Sequence, residues 1–385
     1  MRRVCCAAAA LFFIILSCAC PLSAVEYDFY GGQQTDEVGV YDLGNVINEL
    51  PDDLKKEAEE IGTAKNEAEM AEVLRDKLSP AFWGKALAGW LKDGLFGSVK
   101  SLAVITGILV LSSLVCGLAG EGKSAAVSMF SVLSSAAVAL EVTRAAASTV
   151  EAVTSYMTRL CAMMNAMLPV MNAIYISSGR VTQMAVNSSA LMTYITVTEN
   201  VSANFLAPAA GAVLALVCAS AIAGRVNISP VIETLKKGLL IVITFLTAVF
   251  SFVMGIQSSL AAGADTLAAR AVKFAVEGTV PIVGGAVSEA VTTVGASLSL
   301  IRKGCGAAGI VLILLILLPT LVRLCAVKLS LFVCRIASDL LGCEGPSAVM
   351  AEASSALSVF AALAAVSGVM FIFAVTLFMN SGTVA

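Results

Sequence analysis

The sequence of 385 residues contains no histidine. Histidine is the usual general base in Ser-His-Asp and Cys-His catalytic sites, a common metal ligand, and the side chain that titrates near neutral pH. Its absence excludes those sites and a histidine-based pH switch. The formal net charge is −3, which gives none of the basic surface that a nucleic-acid-binding protein needs.

Charged residues are also scarce. They make up 13% of the chain, whereas hydrophobic residues make up 58% and the mean hydropathy is +0.92. A soluble domain has about 25% charged and about 45–50% apolar residues, and a soluble fold of this composition would leave much apolar surface in water. The composition therefore predicts an all-α polytopic integral membrane protein of six to eight spans, with amphipathic interfacial helices and a small helical exported segment at the N-terminus.

The acidic residues are concentrated near the N-terminus. The segment 25–82 carries 15 acidic and five basic residues, which gives it a net charge of −10. Before it, Arg2 and Arg3 precede a short apolar stretch, as in an export signal. We therefore expect a signal peptide at residues 1–24 and an acidic exported helical segment at residues 25–78. Whether the signal is cleaved stays open.

Residues 79–100 predict a helix in the membrane interface. Ser79 is suited to the N-cap and Pro80 to the first turn. Tryptophan beside lysine, next to a span, is typical of a helix in the headgroup region. The predicted interface residues are two tryptophans and two lysines: Trp83, Trp90, Lys85 and Lys92. Packing of the tryptophans into a core is the alternative.

Residues 101–385 have the pattern of a multispan membrane domain. Its apolar stretches approach the ~20 residues that cross about 30 Å of hydrocarbon. They cover residues 101–119, 124–143, 160–178, 203–223, 238–262, 304–324 and 356–379. The count rises to eight if one of the more polar segments, 183–198 or 263–300, also crosses. The distribution of basic residues does not settle the topology.

Small residues recur at every fourth position in the stretch 203–223. Such a stripe lets another helix approach closely, so we expect it to serve helix packing or an oligomer, a homo-oligomer included. The stripe consists of Gly211, Ala215, Ala219 and Ala223.

The run from Gly304 to Gly309 matches the GxGxxG pattern of dinucleotide-binding proteins. That pattern needs a preceding strand, whereas this run opens a hydrophobic helix, so we interpret it as a packing motif. No cofactor and no metal site is expected.

Glycine and proline interrupt the segment 278–300. Non-helical backbone at membrane depth is tolerated only where protein or water covers it. The segment therefore predicts either a broken-helix element or a loop beside an interfacial helix. The residues of this element are Gly278, Pro281, Gly284 and Gly285.

The segment 327–341 is amphipathic and predicts a surface-lying or re-entrant helix. Its polar face carries Lys328, Arg335 and Asp339, of which the last two are i,i+4 partners.

Ionisable residues flank the apolar stretches, among them Arg180, Asp265 and Arg323. Near a span end a long side chain reaches the headgroups, so most of them need no special role. No acidic residue stands at the centre of a confident span, which argues against a proton-coupled or ion-coupled transporter.

Several runs resemble one known family. The runs Leu267–Phe274, Gly278–Gly284 and Gly295–Lys303 resemble stage III sporulation protein AE of endospore-forming bacteria. Ser79–Leu87 is similar to the helix that precedes the membrane region of that family. The resemblance covers most of 79–385.

The resemblance implies a membrane subunit of the channel complex that joins mother cell and forespore, in the mother-cell membrane around the forespore. Its implied partners are the other membrane subunits of that channel, including a secretion-type ATPase and a forespore membrane protein. It implies no catalytic residues, and no nucleophile or metal set is found in the sequence, so we expect no enzyme. The alternative is a stand-alone small-solute permease.

Overall fold

The computed structural model describes residues 72–73, 75–77, 79–118, 125–201, 204, 207–223, 229–279 and 284–380. The predicted signal peptide and nearly all of the acidic segment lie outside the described residues. Every element of the described part is a helix, and no strand occurs in it. The all-α class is therefore confirmed.

Seven helices follow one another in the described residues: α1 Pro80–Leu118, α2 Ala125–Ser177, α3 Val181–Val201, α4 Ala207–Ala223, α5 Ser229–Thr279, α6 Gly284–Leu340 and α7 Glu344–Asn380. Five of them, α1, α2, α5, α6 and α7, are long and apolar enough to cross a membrane. This confirms a polytopic membrane protein.

The number of span-capable helices in the described part is smaller than the six to eight predicted. The stretches 124–143 and 160–178 fall in the single helix α2, and the helix α4 has only 17 residues. The connecting residues 144–159 contain no glycine or proline, so nothing ends the helix there. Their charged side chains are all exposed: Arg144, Glu151 and Arg159.

The helix α1 begins as predicted and continues further than predicted. The Ser79 Oγ accepts a hydrogen bond from the Phe82 amide at 3.2 Å, which caps the first turn. The helix then runs without a break to Leu118. No helix end separates the segment 79–100 from the first predicted span.

Two glycines end long helices. Gly179 follows α2 with φ 70°, and Gly342 follows α6 with φ 69°. This left-handed conformation is accessible to glycine without strain. After Gly342, the amide of Cys343 donates to the Ser338 carbonyl at 3.0 Å and satisfies the end of α6. The chain therefore reverses, and α7 runs antiparallel to α6.

The core consists of α2, α6 and α7. About half of the most apolar stretch of each is buried, 50% in α2, 50% in α6 and 56% in α7, against 22% in α1 and 17% in α5. Glycine permits close contact within this core. A Cβ on Gly368 of α7 would lie 2.8 Å from Leu317 Cδ2 of α6 and 3.0 Å from the Tyr156 hydroxyl of α2.

The helices α1 and α5 pack mainly against different helices of the structure. Towards its N-terminal end α1 packs along α6, where a Cβ on Gly94 would be 3.1 Å from Ala326 Cβ. Towards its C-terminal end a buried hydrogen bond of 3.1 Å joins Ser112 to Ser134 of α2. The helix α5 contacts α7 and α3, and its polar link to α7 is the ion pair between Lys236 Nζ and Glu352 Oε2 at 3.2 Å.

The close approach at Gly368 generates a prediction about stability. Gly368→Val places side-chain atoms against Leu317 and Tyr156, and overpacking of this kind costs about 1–3 kcal/mol. We expect a lower thermal unfolding temperature of the purified protein in detergent micelles. Gly255→Val in α5 is the matched control, because nothing lies within 4 Å of a Cβ there. Equal unfolding temperatures for the two variants would contradict the packing described for the core.

Candidate functional site

The four residues predicted for the membrane interface divide into two pairs. Trp83 and Trp90 are half-buried and pack against the core, whereas Lys85 and Lys92 are exposed. Trp83 also makes an edge contact with Phe82, with ring centroids 5.4 Å apart. The tryptophans thus contact the core, and the membrane-interface assignment stays a prediction.

The small-residue stripe of α4 faces outward. Gly211, Ala215 and Ala219 are exposed, and the side chain of Ala223 lies outside the described residues. The face that α4 buries against the rest of the chain contains Val213 and Val217 instead. Within the described part of the protein, the stripe is therefore left accessible to another helix.

The glycine- and proline-rich element lies between α5 and α6. Gly278 is in the last turn of α5, and Gly284 and Gly285 begin α6. Pro281 lies outside the described residues, so the broken-helix assignment stays a prediction.

The amphipathic segment 327–341 continues α6 and does not form a separate helix. The Lys328 Nζ donates to Ser358 Oγ of α7 at 2.8 Å. Arg335 Nε and Asp339 Oδ2 lie 3.9 Å apart, and Asp339 also accepts a hydrogen bond from Ser347 of α7. Two of the three predicted polar residues therefore join α6 to α7.

A set of polar side chains, which we call the polar junction, lies at the start of α3 and at the neighbouring parts of α5 and α6. It consists of Arg180, Gln183, Asp265 and Arg302. Gln183 is 1% exposed, Asp265 7% and Arg302 2%, although charged side chains are rarely so buried. Asp265 and Arg302, which stand near span ends in the sequence, are therefore enclosed by protein here and do not reach out to headgroups.

Asp265 holds the first turn of α3 from a different helix. Its Oδ1 accepts from the Thr182 amide at 3.1 Å and its Oδ2 from the Gln183 amide at 2.8 Å. Both amides belong to the helix start, where no intrahelical acceptor exists, and a carboxylate is favoured by the helix dipole. Asp265 is thus a cap supplied by α5, which ties α5 to α3.

The two arginines of the polar junction have different surroundings. Arg180 lies in the turn before α3, and its Nη1 donates to Gln183 Oε1 at 3.1 Å. Burial lowers the pKa of Arg180, and the Asp265 carboxylate partly opposes that shift. Arg302 donates to Ser299 Oγ at 3.4 Å, but its Nε has no partner among the described residues. An enclosed guanidinium without full hydrogen bonding is costly.

The buried polar face of α3 was missed in the sequence. Gln183, Asn187 and Thr198 lie on the buried side of this helix together with Leu191 and Tyr194. Their i, i+4 and i+15 spacing from Gln183 places the buried polar residues on one face, and this spacing was the available signal. The segment is polar overall, and a polar segment is normally predicted to be solvent-exposed, so its buried face was not recognised.

A cleft of about 360 Å³ lies between α1, α2 and α6. Trp90 is the one predicted site residue that lines it. Within the described residues, no group of three or more Cys, Asp or Glu side chains is placed to hold a metal ion.

The comparisons with known proteins identify one family. The family model of stage III sporulation protein AE matches residues 66–382. No curated protein and no solved structure matches the chain.

The cap on α3 generates a prediction about Asp265. In Asp265→Asn the amide nitrogen is a donor and faces one of the two backbone donors, so one hydrogen bond is lost and the charge with it. We expect a loss of about 1–3 kcal/mol in the free energy of unfolding, measured by thermal unfolding in detergent. Glu151→Gln is the control, since Glu151 is exposed and has no ion pair in the described part. If Asp265→Asn were as stable as this control, Asp265 would not act as a cap on α3.

The opposite sign is expected for Arg302. Arg302→Met keeps a long side chain and removes a buried charge whose Nε is unsatisfied. Because the desolvation cost of the charge disappears, we expect an unchanged or higher unfolding free energy, by up to about 2 kcal/mol. Arg144→Met is the control, because the Arg144 side chain is 84% exposed. A clear loss of stability at Arg302→Met alone would show that the guanidinium holds the fold together.

Proposed function

The chain belongs to the stage III sporulation protein AE family, which gives it a role in sporulation, and from this premise we propose that it is a membrane subunit of a mother cell–forespore channel or secretion-like complex. It resides in the mother-cell membrane around the forespore. It acts in assembly or as a gate, and it is not an enzyme.

The distribution of burial supports a subunit role. The core helices α2, α6 and α7 pack within the chain, whereas α1 and α5 leave about four fifths of their most apolar stretches uncovered. Exposed apolar side chains on α5 include Phe245 at 68%, Phe252 at 70% and Leu260 at 70%. Two flanks of this kind leave apolar surface that neighbouring subunits can cover as well as lipid.

The observation that carries the proposal is the outward stripe of α4. In lipid the hydrophobic effect does not drive helices together, so close backbone approach at small residues is a main source of helix association. Gly211, Ala215 and Ala219 offer that approach on a face the chain leaves accessible. We assign this face to contact with another subunit of the complex.

The proposed complex is tested by its recovery from cells. Immunoprecipitation of the tagged full-length protein from engulfed sporangia should recover the other membrane subunits, the secretion-type ATPase and the forespore membrane protein. Recovery of none of them would overturn the proposal. Uptake of a small solute by the purified protein alone in liposomes would favour the permease instead.

The stripe itself is tested by added bulk. Ala215→Leu should separate α4 from its neighbour and lower partner recovery about tenfold, as the loss of about 1.4 kcal/mol requires. Ala147→Leu is the matched control, because Ala147 is also an exposed alanine within a helix but lies on α2, outside the stripe. Equal recovery for both variants would place the subunit contact elsewhere.

A further inference from the structure

The cleft between α1, α2 and α6 changes in character along its length. One end is formed by Trp90 and Asp93 of α1 with Arg323 of α6, and the other by Ile105 of α1 with Leu331 of α6. The two helices run in the same direction, so both walls change from charged to apolar in the same sense. At 1.5 Å per residue, the α1 wall is about 22 Å long. A ligand that fits this cleft is amphiphilic.

The two charged side chains at the polar end are unpaired within the described part of the protein. Asp93 and Arg323 are both exposed. Neither forms an ion pair, with the other or with any residue in the described part of the chain. A carboxylate and a guanidinium at one mouth complement a ligand that carries a cation and an anion. Guanidinium groups bind phosphate oxygens in a bidentate manner.

The apolar end of the cleft opens where the protein surface is apolar. Val104 and Leu111 of α1 are 43% and 62% exposed, and Phe332 and Val333 of α6 are 40% and 46% exposed. Surface of this kind on a membrane protein contacts hydrocarbon. The charged end of the cleft is therefore suited to a headgroup and its other end to an acyl chain, and Phe96 of α1, which is 69% exposed, places apolar surface beside the charged end as well.

Small side chains leave the middle of the cleft open. Gly97 and Ser101 of α1, Ser148 of α2 and Ser330 of α6 line it. Nothing lies within 4 Å of a Cβ on Gly97. The volume of about 360 Å³ is within the range of about 300–1,000 Å³ for ligand pockets.

We propose that this cleft binds a phospholipid whose headgroup carries an amine. The phosphate lies against Arg323, the amine against Asp93, and part of an acyl chain along Ile105 and Leu331. The site concerns lipid and does not depend on the proposed channel.

The headgroup contacts are tested by lipid retention. Full-length protein is reconstituted with equal amounts of phosphatidylethanolamine and phosphatidylglycerol, extracted in mild detergent, and its retained lipid is measured by native mass spectrometry. We expect one retained lipid with a preference for phosphatidylethanolamine. Arg323→Gln should lower retention about tenfold, as for loss of a charge-assisted hydrogen bond. Asp93→Asn should abolish the preference. Lys100→Gln, on an exposed residue outside the cleft, is the control and should change neither the amount of retained lipid nor the preference. Unchanged retention in Arg323→Gln would overturn the proposal.

The need for open volume in the cleft is tested by a substitution that fills it. Gly97→Leu adds bulk inside the cleft without a clash and should displace the lipid. Gly84→Leu is the matched control, because Gly84 is also exposed on α1 with nothing within 4 Å of a Cβ, but does not line the cleft. The two variants should have the same unfolding temperature. Equal lipid retention by the two would overturn the site.

A fluorescence titration separates lipid from a free headgroup. In a Trp83→Phe variant, Trp90 is the only tryptophan, and it lines the cleft. Short-chain phosphatidylethanolamine should shift its emission, and phosphoethanolamine, which has the same charges and no acyl chain, should not. An equal response to both would overturn the lipid assignment in favour of a soluble zwitterion, and a response to neither would overturn the site.

Discussion

Close approach of helices at small residues is the constraint on which the rest of this structure depends. Helices within a bilayer gain little from burying apolar surface, because lipid tails are as apolar as leucine, so packing contacts must hold them together. Gly309 and Gly368 meet this requirement where α2, α6 and α7 come together, next to Met167 and Leu317. The same three helices have the most buried apolar stretches. The core is therefore set by where glycine occurs as well as by hydropathy.

Polar contacts position α5, which has little packing against the core. The helix α5 buries little of its most apolar stretch, yet it is attached near both ends of its apolar run. Lys236 binds Glu352 of α7 at one end, and Asp265 caps α3 at the other. Between them, Ser251 contacts the sulfur of Met370. Hydrogen bonds to charged groups are worth more in a low dielectric, so a few of them suffice to position a helix with little packing.

Composition and periodicity predicted the all-α membrane class and the start of α1. The N-cap at Ser79 and the helix end at Gly342 follow from local backbone chemistry, and local chemistry is readable from sequence. The lengths of the helices were not predictable in the same way. The predicted spans 124–143 and 160–178 form one helix, α2, because charged side chains such as Arg144 and Glu151 on its exposed side leave the backbone hydrogen bonds intact.

The polar junction was hidden for a related reason. Hydropathy averages over a window and cannot tell which side of a helix a polar residue occupies. Asp265 stands at a span end in the sequence, where exposure is the simple expectation, and its burial results from the position of α3 in space. Only the tertiary arrangement brings the α3 amides within 3.1 Å of its carboxylate. Sites made by one helix acting on the end of another are therefore outside the reach of a sequence pattern.

The loose attachment of α1 connects the core to the lipid cleft. Where α1 meets α6 at Gly94, a Cβ would find its nearest neighbour at 3.1 Å, so the two backbones are close there. Beyond this contact, towards the C-terminus of α1, the helices leave space, because Gly97 and Ser101 are too small to fill it. A soluble protein would lose dispersion contacts at such a gap. A membrane protein has lipid at hand to restore them, so a lipid in the cleft would complete the packing of α1 that the side chains leave unfinished.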